Sequence, residues 1–186
     1  MTGGLNVEED LSLELGKKLR VIPNFPVKGV SFKDITTLLS DPDAFRAAID
    51  ALKKECEKVD FDVIVAPESR GFIIGSALAY AMGKAFAPVR KKGRLPWKTL
   101  AGEYKLEYGA DTLEIHVDAV KPGQKALVLD DLLATGGTIS ATIDMVEKIG
   151  GVVGAVAFLI ELTYIPGRAN LISRGYKVIS VIKLKE

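Results

Sequence analysis

One cysteine, one histidine and one tryptophan stand in a chain of 186 residues, and each scarcity excludes something. A lone thiol, Cys56, closes no internal disulfide and points to a reducing compartment. It falls in a stretch that reads as helix, 45–58, with no catalytic context around it. A single His116 leaves no His/Cys/carboxylate cluster at metal-site spacing, so no metal centre held by protein ligands is expected. Trp97 follows "RLP" and carries no functional expectation. Charge of one sign is missing as well: Lys plus Arg number 25 against 24 for Asp plus Glu, a net charge of +1. A sequence-blind nucleic-acid binder carries a large basic excess, so no nucleic-acid partner is expected. Long apolar runs are also lacking. The longest, "GVVGAVAFLI" at 151–160, is far shorter than the ~20 residues that span a bilayer, and the polar, acidic start "MTGGLNVEEDLSLELGKK" is unlike a secretory leader. A cytoplasmic protein with no membrane partner is the expectation.

What the chain does have is the 48% hydrophobic and 26% charged composition of an ordinary globular domain, at a length that fits one domain. "FDVIVA" (61–66) and "KALVLD" (125–130) are apolar without alternation, as strands buried on both faces are. "VVGAVAFLIEL" (152–162), "YKVISVIKL" (176–184) and "KAFAPVRK" (84–91) supply three more strands. Helices are predicted over 71–82 and 138–149, the latter stopping at Gly150 and Gly151. Strand alternating with helix predicts an α/β fold with a mostly parallel central sheet flanked by helices, and ligands on such sheets sit beyond the carboxyl ends of the strands. Two stretches break the rhythm. Residues 92–111 form a long connection rich in Lys, Gly and Tyr, of the kind used as lids. The first ~40 residues hold an amphipathic helix and then "IPNFPVKGVSFKDITTLL", where Pro23, Pro26 and Gly29 interrupt regularity.

"VLDDLLATGGT", residues 128–138, carries the chemistry. Adjacent carboxylates repel and paired glycines cost conformational entropy, so a ligand should compensate for both. Asp130 and Asp131 would end a buried strand while Thr138 opens a helix. Backbone N–H groups from Ala134 through Thr135, Gly136 and Gly137 to Thr138, with the positive helix end, suit a phosphate dianion. Two acceptor-only carboxylates beside them suit a vicinal diol. Phosphate and diol together describe a ribose 5-phosphate. The stretch is neither a Walker loop nor a dinucleotide fingerprint, since Gly-Lys-Ser/Thr and Gly-x-Gly-x-x-Gly are both absent.

"ALVLDDLLATGGT" closely resembles the phosphoribosyl-pyrophosphate (PRPP) loop of type I phosphoribosyltransferases. The resemblance runs over nearly the whole chain to the adenine-specific branch of that family, through "PNFPVKGVSFKDIT", "APESRGFIIG", "VRKKGRLP", "EYKLEYGADTLEIHVDAVKPGQ" and "LIELT". It implies a type I phosphoribosyltransferase fold over 1–186, with an N-terminal helix and base-binding hood at 1–40 and a flexible flap hairpin at 92–118. It implies adenine and PRPP as substrates, AMP and pyrophosphate as products, Mg²⁺ held mainly by substrate and water, and a homodimer. Asp130 and Asp131 would take the ribose diol, and Ala134 through Thr138 the 5-phosphate. Ser69 and Arg70 would form a pyrophosphate loop in which the family commonly has a cis non-proline peptide. Arg90, Lys91 and Arg94 would join them, an Arg equivalent to Arg90 reaching the neighbouring subunit's site in relatives. Glu107 is implied as the acid/base residue at the purine imidazole and Tyr108 as a cover over the reacting groups. Ser31 and Lys33 backbones would read the adenine edge, with Phe32 and Leu162 on the two ring faces.

Two rival readings have discriminating features. A transferase for another base would share the PRPP loop, and only "VSFKD" and "EYG" speak for adenine. A PRPP-sensing regulator that binds nucleic acid would need a basic surface, which a net charge of +1 does not supply.

Overall fold

The structure, a computed structural model, describes residues 7–106 and 109–185. In chain order the elements are α1 (Val7–Gly16), β1 (Arg20–Pro23), β2 (Ser31–Asp34), α2 (Thr36–Leu39), α3 (Pro42–Cys56), β3 (Val63–Pro67), α4 (Arg70–Met82) and β4 (Ala85–Lys91). There follow β5 (Thr99–Leu106), β6 (Gly109–His116), β7 (Lys125–Leu133), α5 (Gly137–Lys148), β8 (Val152–Leu162), α6 (Gly167–Ser173) and β9 (Val178–Leu184). Seven strands form one sheet in the order β5-β6-β4-β3-β7-β8-β9, and β1 and β2 pair separately.

The middle of the sheet is parallel: β3 pairs with β4 and β7, and β8 lies between β7 and β9. All five residues of β3 are buried, which explains why that segment has no polar alternation. The core lies on both sheet faces. One cluster joins Leu52, Phe61, Ile74, Leu127 and Leu159 under α3 and α4, and another joins Val65, Val128, Ile143, Met145 and Phe158 under α5. Helix α3 shows how the sequence seats one of these layers. Ala44, Ala48, Leu52 and Cys56 recur every four residues and are buried, while Asp41 caps the start and Pro42 opens it.

The consequence for function is direction. Strands β3, β7 and β8 run in parallel, so "PESRG", "DDLLATGGT" and "LT" all leave the sheet at one edge. The strand crossing from β3 to β7 is where ligands of such sheets bind.

The hairpin that the resemblance implied at 92–118 is present, although the composition of its first strand did not announce it. The connection at 92–111 contains β5, paired antiparallel with β6 from Thr99↔His116 to Leu106↔Gly109. Its "TLAGEYKL" has too few apolar residues to announce a strand, and close approach substitutes for bulk: a Cβ on Gly102 would lie 2.8 Å from Met145 Cγ on α5. The hairpin joins the sheet only where β6 meets the end of β4, pairing Glu114 with Arg90 and Leu113 with Lys91. Helix α6, seven residues long, was not foreseen, because two turns are too short for a 3.6-residue period to show.

Candidate active site

The acidic pair lies just short of the strand end, not at it. Strand β7 continues through Leu132 and Leu133 before the chain turns. Gly136 then adopts φ 84° and ψ 11° at the N-cap of α5, a left-handed conformation that glycine reaches without a Cβ penalty. The first N–H groups of a helix have no intrahelical partner, so Gly137 and Thr138 present donors at this mouth. Thr138 keeps its carbonyl for the Thr142 hydroxyl, 2.9 Å away.

Asp131 is buried and Asp130 is half-buried beside it. Burial pushes Asp130 well above the ordinary carboxylate range, and the Asp131 charge adds to the shift. Burial also raises Asp131, against the pull of the Arg70 guanidinium. Asp130 Oδ1 accepts the Asp131 backbone N–H at 2.9 Å. Arg70 Nε lies 3.0 Å from Asp131 Oδ2, close enough for an ion pair but without hydrogen-bond geometry, since that oxygen is buried and has no hydrogen-bond partner. Arg70 Nη1 is likewise buried and unpaired. A buried acceptor and a buried donor left open on facing residues is the condition of a site built for a ligand.

Helix α4 brings Arg70 there. Ser69 is its N-cap, and the Glu68–Ser69 peptide is cis, at the loop where such a bond was expected. The Arg70 Cζ also lies 4.9 Å from the centroid of the Phe32 ring. One side chain thus touches both the acidic pair and the hood. Phe32 sits on β2 with Phe25 edge-on at 5.2 Å, and Lys33, 6% exposed, donates to the Ser31 hydroxyl at 3.1 Å. Leu162, buried, ends β8 at the same edge of the sheet.

The cations gather at the end of β4. Arg90 Nη2 donates to Glu68 Oε2 at 3.2 Å and Arg90 Nη1 to the Arg94 carbonyl at 3.2 Å, while the Lys91 N–H reaches Glu68 Oε1 at 2.6 Å. Burial works to raise Glu68, but the Lys91 N–H and the Arg90 guanidinium outweigh it and hold the carboxyl below its usual range. Glu107 and Tyr108 lie outside the described residues.

Several residues near the site carried no role in the sequence reading. Glu68, within "PESRG", organises the cations. Gly71 admits Asp130: a Cβ there would lie 2.9 Å from Asp130 Oδ1. Glu161, buried, pairs with the half-buried Arg168 behind the phosphate loop. The missed signal at Glu161 was a charge inside "AFLIEL", since a carboxylate in a strand covered on both faces needs a partner.

No group of three or more His, Cys, Asp or Glu among the described residues is placed to hold a metal. A buried Asp131 with an open oxygen, beside the half-buried Asp130, nonetheless fits a hard cation that keeps most of its ligands as water and phosphate oxygens. No described helix is long and apolar enough to cross a membrane. A recess of about 740 Å³ between α1, α3 and β9, lined by Ser12, Lys54 and Lys183, contains none of these residues. Chemistry, not cavity volume, marks the site.

Comparison with known proteins agrees with the geometry. Residues 34–179 match the model of the phosphoribosyl transferase domain. The chain is 54% identical over 173 residues to an adenine phosphoribosyltransferase of Caldicellulosiruptor bescii, covering 93% of this chain and 98% of that one. The crystal structure of adenine phosphoribosyltransferase from Thermoanaerobacter pseudethanolicus superposes with a TM-score of 0.90 at 53% identity, covering 93% and 99% of the two chains. That of adenine phosphoribosyltransferase from Saccharomyces cerevisiae, complexed with an imino-altritol bisphosphate and adenine, gives 0.85 at 35% identity, covering 94% and 99%.

Proposed function

Because the chain belongs to the adenine phosphoribosyltransferase family, we infer that it joins adenine to PRPP, releasing AMP and pyrophosphate in purine salvage. The observation that carries the reading is the open acidic pair followed at once by the left-handed turn at Gly136 and the start of α5. Few ligands ask for a diol acceptor and a phosphate cradle so close together, and a ribose 5-phosphate does.

On this reading Asp130 and Asp131 receive the ribose hydroxyls, and the backbone from Ala134 to Thr138 takes the 5-phosphate. Ser69, Arg70, Arg90, Lys91 and Arg94 face the pyrophosphate, where charge accumulates as the bond to the anomeric carbon breaks in an SN1-like displacement. Arg70 leaves Asp131 for the pyrophosphate as the diol arrives. Adenine lies between Phe32 and Leu162, its edge read by the Ser31 and Lys33 main chain. Unpaired buried polar groups would reject a 6-oxopurine there. Glu107 takes the imidazole proton as nitrogen bonds to the sugar, and Tyr108 helps to keep water from the oxocarbenium-like centre. Mg²⁺ would be held beside Asp130 and Asp131 mainly by substrate and water, and would supply charge neutralisation.

The finer parts of the proposal have their own support. A homodimer is favoured by Ile73 and Tyr80, both exposed on α4, Tyr80 at 92%. Cytoplasmic residence suits Cys56, a lone free thiol that closes no disulfide.

The test offers the protein PRPP and Mg²⁺ with adenine, hypoxanthine, guanine, xanthine and orotate in turn. AMP from adenine alone is the expected result, and product from a 6-oxopurine would overturn the hood assignment. Glu107→Gln should keep PRPP binding while slowing single-turnover formation of AMP by about a hundredfold; an unchanged rate would remove Glu107 from the chemistry.

A further inference from the structure

Behind the phosphate loop lies a charged assembly that touches no reacting atom. Helix α6 backs three consecutive loop residues. A Cβ on Gly167 would land on the Ala134 carbonyl oxygen. Asn170 Nδ2 reaches the Thr135 carbonyl at 3.4 Å, and a Cβ on Gly136 would meet Leu171 Cδ1 at 3.8 Å. The loop's shape on that side is therefore the shape of α6.

A helix of seven residues does not hold its place by its own hydrogen bonds. Leu171 is buried beneath it, but apolar burial fixes no direction. Arg168 fixes it. Its Nε donates to Glu161 Oε1 at 2.7 Å and its Nη2 to Glu161 Oε2 at 2.5 Å. Nη1 reaches the Val178 carbonyl at 3.1 Å, and Nη2 also reaches the Ser180 hydroxyl at 2.9 Å. Ser180 in turn donates to Glu161 Oε2. Burial works to raise Glu161, yet hydrogen bonds from Arg168 and Ser180 outweigh it and hold the carboxyl below its usual range. With four donations already made inside the protein, the guanidinium is committed inward rather than offered to substrate.

We propose that the Glu161–Arg168–Ser180 clamp is a positioning device for the 5-phosphate loop, setting α6 against Ala134, Thr135 and Gly136 so that their N–H groups converge on one phosphate. Arg168 is a positioning residue, not a catalytic one. The inference rests on the assignment of that loop to the 5-phosphate.

Arg168→Lys keeps the charge but loses the planar fork that spans both carboxylate oxygens. It should weaken ribose 5-phosphate and PRPP binding by about tenfold, because small displacements of a positioning group cost that much or more. Pyrophosphate binding should be unchanged, and kcat at saturating PRPP should stay within about threefold of the parent. Ser180→Ala, which removes one arm of the clamp, should shift ribose 5-phosphate affinity in the same direction by less, and it serves where Arg168→Lys does not fold. A lowered Tm with unchanged ribose 5-phosphate affinity in a folded variant would overturn the clamp. Parent protein that fails to bind ribose 5-phosphate would overturn the loop assignment and the clamp with it.

Discussion

Asp131 and Glu161 sit on neighbouring strands, and each is 3% exposed. Their electrostatic fates are opposite. Glu161 is gripped by both arms of Arg168 and by Ser180, and its carboxyl is held below the usual range. Asp131 faces Arg70 without a hydrogen bond to Oδ2, has Asp130 beside it, and its carboxyl is raised. Exposed area is the same in the two cases and does not distinguish them, although Asp131 lies deeper among protein atoms. Partnership does: the satisfied acid holds the frame and the frustrated acid awaits a ligand.

The largest test of that difference removes the frustrated charge. The double variant Asp130→Asn, Asp131→Asn should lose PRPP affinity by at least about a hundredfold, since an amide replaces an acceptor-only group facing two hydroxyl donors. Stability should move the other way. A carboxyl whose folded-state pKa is raised contributes stability that is complete below the unfolded value and is lost as pH rises through the folded one. Above that raised folded-state value the parent has lost it, and the variant should gain on the order of 1 kcal/mol. The gain should fade as pH falls into the ordinary carboxylate range. A variant less stable than the parent above the folded-state value would erase the contrast with Glu161.

A gentler probe disturbs the geometry and leaves the charge. In Gly71→Ala the new Cβ would stand 2.9 Å from Asp130 Oδ1 and 3.3 Å from Pro67 Cδ. The carboxylate is the softer of the two and must turn. PRPP binding should weaken by about tenfold, with adenine binding little altered, as titrations with each ligand would reveal. Equal losses for both ligands would mean that α4 has moved as a whole.

How far these features were legible follows from the same distinction. The acidic pair was readable because adjacent carboxylates before a glycine turn have no architectural use that repays their repulsion. The central strands were readable because Val63 to Pro67 and Ala126 to Leu129 are buried on both faces and so lack alternation. Glu161 stood in plain view inside an apolar run, but its partner lies seven residues on, in a helix too short to announce itself. Strand β5 was legible only through the family resemblance and not in its own composition, because Gly102 seats it by close approach to Met145 instead of by apolar side chains. Arg70 was placed at the pyrophosphate by the family resemblance; its approach to Phe32 brings together residues far apart in the chain, which no local spacing encodes.

The smallest effect comes from a third acid that is satisfied but remote, and it separates stability from binding. Asp41 caps α3: Oδ1 accepts the N–H groups of Asp43 and Ala44 at 3.1 Å each, and Oδ2 takes the Lys18 ammonium at 2.8 Å. None of these partners belongs to the site. The Lys18 hydrogen bond and then the Ala44 N–H hold the carboxyl below its ordinary range. A lowered folded-state pKa has the sign of Glu161 and not of Asp130: its stability is present above the unfolded value and is lost as pH falls through the folded one. Asp41→Ala should therefore lower Tm by a few degrees at neutral pH, with the deficit shrinking as the solution is acidified. Asp41→Asn keeps an acceptor for the helix N–H groups and should recover most of the loss, which assigns it to capping more than to charge. Neither variant should change kcat/KM for PRPP. A fall in kcat/KM that tracked the fall in Tm would mean that satisfied acids also tune the site, and the division between frame and ligand acids would then have to be redrawn around distance instead of partnership.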